Sequence, residues 1–358
     1  MCDERSRPMT LAPLRSCAAA SRQIALPAVC AFLFSGATAL AGTLDQVRAA
    51  GRLACGVIDT PEDWNKTDLH GDLSPLETEI CKAVAAAALV EAPKLELHTY
   101  KTEMEAGAAL KSGEVALVAG MTPTATWAWK FGVSFGPPIF YDGQSILIRS
   151  EANIRSLADL AGARICFIEG TENEKVLLAR TISRHIAIIP MPFQEEGEMD
   201  DAMSDRHCDA ISAYVSRLAA VQAAYPKQLA NDHILADWLT LAPVSPAWRA
   251  DDRQWGMLVD WTVNALVQAE ELGITRENIG EMRESDDPLV QLLVGTDWAA
   301  SRDLGLQDHA WAAKVIGNVG NYGEIYDRTL GEHGSLHLPR GRNALWTQGG
   351  LLHSLPVE

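Results

Sequence analysis

A two-lobed α/β protein is what this chain predicts, on three observations. Apolar runs bounded by turn residues alternate with helical patterns, the rhythm of strands followed by helices. The alternation comes as two series, one ahead of Gly143 and one from Ile154, with a long amphipathic segment after the second. Beyond its N-terminal leader the chain has about 317 residues, more than one ordinary core organises.

In the first series Leu53-Ala54-Cys55-Gly56-Val57 reads as a strand. Leu76–Leu89 reads as a helix with Ile80, Ala83, Val84 and Ala87 on one face. Ala106–Lys111 is a short helix stopped at Gly113, Val115–Ala119 a strand, and Ser145–Arg149 a strand leaving that lobe. The second series runs through a short helix at Ser156–Leu160, a strand at Ala163–Ile168 and a helix opened by Gly170-Thr171 that extends to Arg184. A strand at Ala187–Met191, a helix at Glu198–Ser204, a strand at Ala210–Ala213 and a helix at Val215–Ala224 follow. His233–Leu235 and Leu239–Leu241 read as strands that carry the chain back, and Trp255–Leu272 as an amphipathic helix ended by Gly273. The remainder, rich in Gly, Trp and Pro, is expected to wrap the first lobe. The organisation expected is therefore a signal segment over 1–41, a first lobe from 42–143 and 240–358, and a second lobe from 144–239. Crossings near 144 and 240 form the hinge.

The leader has the pattern of an export signal. Arg15 and Arg22 precede the apolar run Ile24–Leu33, and Ala39-Leu40-Ala41 supplies small residues at the cleavage positions. Pro27, Ser35 and Gly36 break the run well short of the ~20 apolar residues a membrane-spanning helix needs. Cys17 and Cys30 lack the surroundings of a lipid-modified cysteine, and Met1 or Met9 could start the chain. The whole sequence carries a formal charge of −17, which becomes −19 without residues 1–41. Such acidity argues against nucleic acid or an anionic membrane surface as partner. Cys55, Cys81, Cys166 and Cys208 remain, an even number that reads as disulfides in an exported protein. Three connectivities are open; Cys55–Cys81 with Cys166–Cys208 is favoured because each joins elements of one lobe.

Several stretches carry a resemblance. They include Thr43-Leu44-Asp45-Gln46-Val47-Arg48, Ile80-Cys81-Lys82-Ala83-Val84-Ala85, Tyr141-Asp142-Gly143-Gln144 and Cys208-Asp209-Ala210. The most specific lie in the tail: Val319-Gly320-Asn321-Tyr322-Gly323-Glu324-Ile325-Tyr326, then Leu338-Pro339-Arg340-Gly341-Arg342-Asn343-Ala344-Leu345-Trp346. Together they resemble the general L-amino-acid subgroup of family 3 periplasmic solute-binding proteins, over nearly the whole chain after the leader. That resemblance implies a type II periplasmic binding protein fold, with a small-molecule ligand held in the cleft between two lobes.

Carried over position by position, the resemblance implies Thr122 as the hydroxyl that meets a ligand carboxylate. Five residues on, where the family has its carboxylate-binding arginine, stands Trp127, and no arginine occurs between Lys111 and Arg149. The helix N-terminus that offers backbone N–H groups maps to Gly170-Thr171, followed by Glu172 instead of threonine. The aspartate for a ligand ammonium maps to Tyr214, and an acidic residue of the first loop to Ile58 or Asp59. Trp64, in Glu62-Asp63-Trp64-Asn65, is a candidate cover for the ligand. The expected binding set is Trp64, Thr122, Trp127, Thr171, Glu172 and Tyr214. In an arbitrary protein Trp127 and Tyr214 would be packing aromatics, Thr122 and Thr171 turn or cap hydroxyls, and Glu172 a dipole-compensating acid. Trp129 is expected to pack, and Glu195-Glu196-Gly197-Glu198 to form a solvated loop.

Enzyme signals are weak. Neither a nucleophile elbow, a Walker loop, a dinucleotide-binding fingerprint nor a zinc-protease helix motif occurs. His333 and His337 are four apart, but Gly334 and Pro339 disfavour a metal-binding helix there. No cofactor and no metal are expected. The leading reading is the extracytoplasmic binding component of an ABC importer, a monomer partnered by an inner-membrane permease, whose ligand is not an ordinary amino acid. A sensory or accessory binding protein on the same frame is an alternative. So, more remotely, is a periplasmic dehydratase-like enzyme with Glu172 as its acid or base. N-terminal sequencing of the exported protein should begin at Gly42; retention of Met1 or Met9 would contradict the signal segment.

Overall fold

The computed structural model describes residues 42–59, 70–89, 93–295, 306 and 308–355. The expected signal segment and Trp64 lie outside these. In chain order the first elements are α1 (Thr43–Ala50), β1 (Arg52–Ile58), α2 (Ser74–Ala88), β2 (Lys94–Tyr100) and α3 (Glu103–Ser112). β3 (Leu117–Met121), α4 (Ala125–Phe131), β4 (Val133–Phe135) and β5 (Phe140–Asp142) follow. Next come β6 (Gln144–Ile148), β7 (Arg164–Ile168), α5 (Glu172–Ser183), β8 (Ile189–Phe193), α6 (Glu196–Ser204), β9 (Ala210–Tyr214), α7 (Val215–Ala224) and β10 (His233–Ile234). The chain then returns through β11 (Ala242–Arg249), α8 (Arg253–Glu271), α9 (Ile279–Met282), α10 (Pro288–Val294), α11 (Trp311–Val319) and α12 (Tyr322–Thr329).

Two sheets result. The first has the order β2-β1-β3-β11-β4, with β5 also paired to β11; β1 runs parallel to β2 and β3, and β11 antiparallel to β3. The second has the order β10-β6-β9-β7-β8. Each sheet is flanked by helices, giving the two-lobed mixed α/β architecture with a cleft between the lobes. Parallel strands bury both faces, and β3 is buried at every position from Leu117 to Met121. Cys55 on β1 is bridged to Cys81 on α2, and Cys166 on β7 to Cys208 just ahead of β9, with Cα separations of 6.0 and 5.9 Å. Each bridge ties a strand to an element of its own lobe, the pairing favoured on sequence.

Several expectations are corrected. Leu239–Leu241 is irregular, and the return strand is β11, eight residues that include Pro243 and Pro246. Proline removes a ladder donor. Pro246 sits where the β11–β3 register shifts between Ser245 and Ala247, and its carbonyl accepts the Gly136 N–H at 2.9 Å. β2 had no counterpart in the sequence reading because it is an edge strand exposed at alternate and adjacent positions. The acidic run from Glu195 opens α6 rather than a loop, and Glu196 and Asp200 both engage Arg217. Trp129, expected to pack, is 91 % exposed.

The two crossings between lobes are packed on each other. Gln144 N–H donates to Thr240 Oγ1 at 3.0 Å and Leu239 N–H to the Gln144 carbonyl at 2.7 Å. A Cβ on Gly143 would collide with the Thr240 carbonyl, so only glycine fits the first crossing. The tail residues that carry the family resemblance clamp this region. Asn343 bonds both the N–H and the carbonyl of Tyr141, at 2.6 and 2.9 Å, and the buried Tyr322 hydroxyl donates to the Ile139 carbonyl at 2.5 Å. Arg340 pairs with Glu270 at 3.0 Å while covering the rings of Tyr322 and Tyr326. Asn321 and Glu324 cap α12 reciprocally, and Gly320 ahead of them has a φ of 79°, a left-handed conformation that suits glycine.

α8 contributes one strained contact to this frame. Burial pushes the Asp260 carboxyl up to about 7, and its Oδ1 lies buried without a hydrogen-bond partner, facing Gly136. A folded-state value above the unfolded one means stability present below about pH 4 is lost as pH rises through about 7. Asp260→Asn should therefore stabilise the protein at pH 9 by about 2 kcal/mol, after discounting for partial exposure, and change little at pH 4. Urea unfolding at the two pH values measures it; equal effects at both would contradict the assignment.

Candidate ligand-binding site

The C-terminal ends of β1 and β3 and the start of α3 and α4 bring acids and aromatics to one side of the cleft. Thr124 caps α4 by accepting the Trp127 N–H at 3.1 Å, which fixes the first turn and with it the indole. Trp127 stacks on Phe131 at 5.5 Å and donates its indole N–H to Glu103 Oε2 at 2.5 Å. The other oxygen of Glu103 accepts the backbone N–H of Thr122, also at 2.5 Å. One carboxylate thus holds both Thr122 and Trp127, two of the residues expected to line the ligand site. Behind it lies Glu77, fully buried and accepting the Ile58 N–H at 2.7 Å. Burial holds the Glu77 carboxyl well above the usual carboxylate range against that bond, and Asp72, Glu103 and Asp59 add to the push.

His70 joins this side of the cleft to the other lobe. Its Nε2 lies 3.4 Å from Thr122 Oγ1, its Nδ1 2.7 Å from Asp142 Oδ2, and its ring stacks on Tyr214 at 4.6 Å with planes 21° apart. The Asp142 side chain is fully buried. It also accepts the Gly143 N–H at 2.9 Å, the Ser216 N–H at 3.2 Å and the Ser216 hydroxyl, so the carboxylate has a donor at each turn. Ser216 in turn accepts the Gly71 N–H at 2.7 Å, and a side chain on Gly71 would strike the Ser216 carbonyl. Glu103, Thr122, His70, Asp142 and Ser216 therefore form one continuous polar chain from the first lobe, through the crossing, to the N-terminal turn of α7.

Comparison with known proteins fits this architecture. No protein-family model matches the chain. The general L-amino acid-binding periplasmic protein AapJ of Rhizobium johnstonii is 35 % identical over 336 residues, which is 92 % of this chain and 96 % of that protein. The chain belongs to the periplasmic amino-acid-binding proteins of ABC transporters. The glutamate/glutamine/aspartate/asparagine-binding protein BztA of Rhodobacter capsulatus is 34 % identical over 92 % of this chain and 96 % of that protein. Among solved structures, an ABC transporter periplasmic binding protein from Brucella ovis with glutathione bound is 33 % identical. It has a TM-score of 0.70 and covers 89 % of this chain and 100 % of that one. These relatives are solute-binding proteins rather than enzymes.

Within this binding-protein frame the expected residues divide. Thr122, Trp127 and Tyr214 converge through Glu103 and His70. Thr171 is buried as the N-cap of α5, accepting the Glu174 N–H at 3.2 Å and donating to the Ile168 carbonyl at 2.7 Å. Glu172 is exposed and pairs with Lys175 at 3.3 Å, away from the polar chain. Gln144 connects the α5 end to Tyr214: it lies opposite Tyr214 in the β6–β9 ladder and donates to the Asn173 carbonyl and to Ser212. Its Oε1 is buried with no partner. Sequence reading missed His70, Glu103, Asp142 and Ser216 as site residues. The Tyr141-Asp142-Gly143-Gln144 motif was the one available signal, since it marked the crossing without a role for its carboxylate.

Ser216→Ala removes an acceptor from the Gly71 N–H and a donor from a buried carboxylate. The expected cost is about 1–3 kcal/mol. Urea unfolding against Ser183→Ala, whose hydroxyl is surface-exposed, checks it; equal, small effects would remove Ser216 from the link between lobes.

Proposed function

We propose that this protein is the extracytoplasmic solute-binding component of an ABC importer whose ligand is a small molecule with a flat, apolar or cationic portion, not a standard L-amino acid. The observation that carries this is Glu103. An amino acid's carboxylate at Thr122 needs a positive partner, and the Thr122 N–H and Trp127 indole N–H are instead directed at a carboxylate. Asp59 and Asp72 add negative charge near it. Of the nearby cations, Arg217, three residues after Tyr214, pairs with Glu196 and Asp200, and Lys130 bonds Met104 Sδ at 3.0 Å with its ammonium 5.6 Å from the centre of the Trp127 ring. Trp127 and Tyr214 suit a flat or cationic group held by stacking.

Leaving one charge of a bound zwitterion unpaired in a closed cleft costs roughly 3–5 kcal/mol. At about 1.4 kcal/mol per tenfold, that weakens a micromolar site by roughly two to three and a half decades, toward millimolar. The solutes of the relatives, amino acids in two and glutathione in the third, support capture of a small polar solute on this frame but not the charge arrangement of this one.

The same reading divides the chain into a first lobe of 42–143 and 240–358 and a second of 144–239, after a cleaved 1–41. Support comes from the sheet membership of β5, β6, β10 and β11 and from the packed crossings at Gly143 and Thr240. Periplasmic residence, a monomeric state and docking of both closed lobes on an inner-membrane permease belong to the same reading, with membership of the family as their support. Calorimetry with the twenty L-amino acids tests the ligand class. Binding is expected to be millimolar or absent, and glutamate or glutamine binding should appear in a Glu103→Gln, Trp127→Arg, Tyr214→Asp variant. Micromolar binding of several amino acids by the native protein would refute the proposal.

A further inference from the structure

His70 presents its imidazole to the residues a ligand is expected to use. Thr122 and Tyr214 were assigned to ligand contact from the sequence, and in the structure His70 contacts both: one ring nitrogen lies at the Thr122 hydroxyl and one ring face against Tyr214. The second nitrogen meets Asp142, a carboxylate with no solvent exposure. An imidazole is flat, has a polar atom at each end, and is a cation when protonated. These are the properties proposed for the solute.

We propose that the His70 side chain is a built-in occupant of the recognition slot, and that a ligand's flat nitrogen-bearing group binds by displacing it. The slot is the space bounded by Thr122 on the first lobe, Asp142 at the crossing and Tyr214 on the second lobe. Its walls are held independently of the imidazole. Thr122 is fixed through its backbone by Glu103, Asp142 by Ser216 and the Gly143 N–H, and Tyr214 by its place opposite Gln144 in the second sheet. The backbone next to His70 is anchored separately, by Gly71 on Ser216. Removing the ring therefore leaves a preformed site, with Gly71 still held on Ser216. His70 then sets specificity by competition. A tethered group acts at an effective concentration in the millimolar range, so only a solute that bonds Asp142 and stacks on Tyr214 better than imidazole gains entry. The inference rests on the proposed ligand class, because an amino-acid carboxylate could not replace a donor ring at Asp142.

Free imidazole tests it without knowledge of the natural solute. In His70→Ala, imidazole should bind with a dissociation constant on the order of millimolar, at least tenfold tighter than to the native protein, and acetate should not bind. Adding Asp142→Asn or Tyr214→Ala to His70→Ala should abolish or weaken that gain. If His70→Ala does not fold, His70→Gln, which retains a donor but no ring, is titrated in the same way. Imidazole binding no tighter in the variant than in the native protein would overturn the proposal and leave His70 a structural pin. The outcome is separable from that of the ligand class. Micromolar amino-acid binding by the native protein would sink the latter whatever imidazole does, and failed imidazole rescue with silent amino-acid calorimetry would sink only the occupant.

Discussion

A carboxylate buried at the point where the chain passes from one lobe to the other organises this molecule. An isolated charge is intolerable in a protein interior unless paired and hydrogen-bonded. Asp142 meets that condition with donors from three separate segments: His70, Gly143 and Ser216. To satisfy one side chain, the loop after β1, the crossing and the first turn of α7 must come together. Around this point the packing is close. Gly143 leaves no room beside Thr240, and the tail returns from far along the sequence to bond Tyr141 through Asn343.

The charge arrangement of the cleft distinguishes this chain from what its family resemblance implies. The crossing motif, the two disulfides, the Arg340–Glu270 pair beneath Tyr322 and the α12 capping box are structural devices that hold the frame. Glu103 bonds Trp127 and Thr122 together, so the acid and the indole form a unit, and the indole also stacks on Phe131.

Much of the frame was legible from residue order because it depends on local pattern. α7 was placed at its full extent, and the disulfide pairing followed from which strands and helices share a lobe. The return strand was hidden because Pro243 and Pro246 remove its strand signature, and β4 and β5 because three residues carry no period. The site was less legible for a different reason. The partners of His70 are 52 and 72 residues away and Gly71 meets Ser216 145 residues away. A lone histidine before a helix announces none of this. Glu103 stands ahead of the helix expected at Ala106–Lys111, and only the folded chain shows the two donors it receives. Thr122, Trp127, Thr171, Glu172 and Tyr214 were singled out solely through resemblance; in the fold Thr171 is a buried cap and Glu172 a surface ion pair.

The central claim is that the cleft selects against an amino-acid zwitterion and for a flat or cationic solute. Native mass spectrometry of the mature protein, purified from its own periplasm without denaturation, tests this most directly, because a tightly held solute travels with its binding protein. The account predicts an adduct whose released solute carries an aromatic, heterocyclic or cationic group and is not one of the twenty amino acids. Recovery of a standard L-amino acid such as glutamate or glutamine, held in the native protein at one per chain, would contradict it.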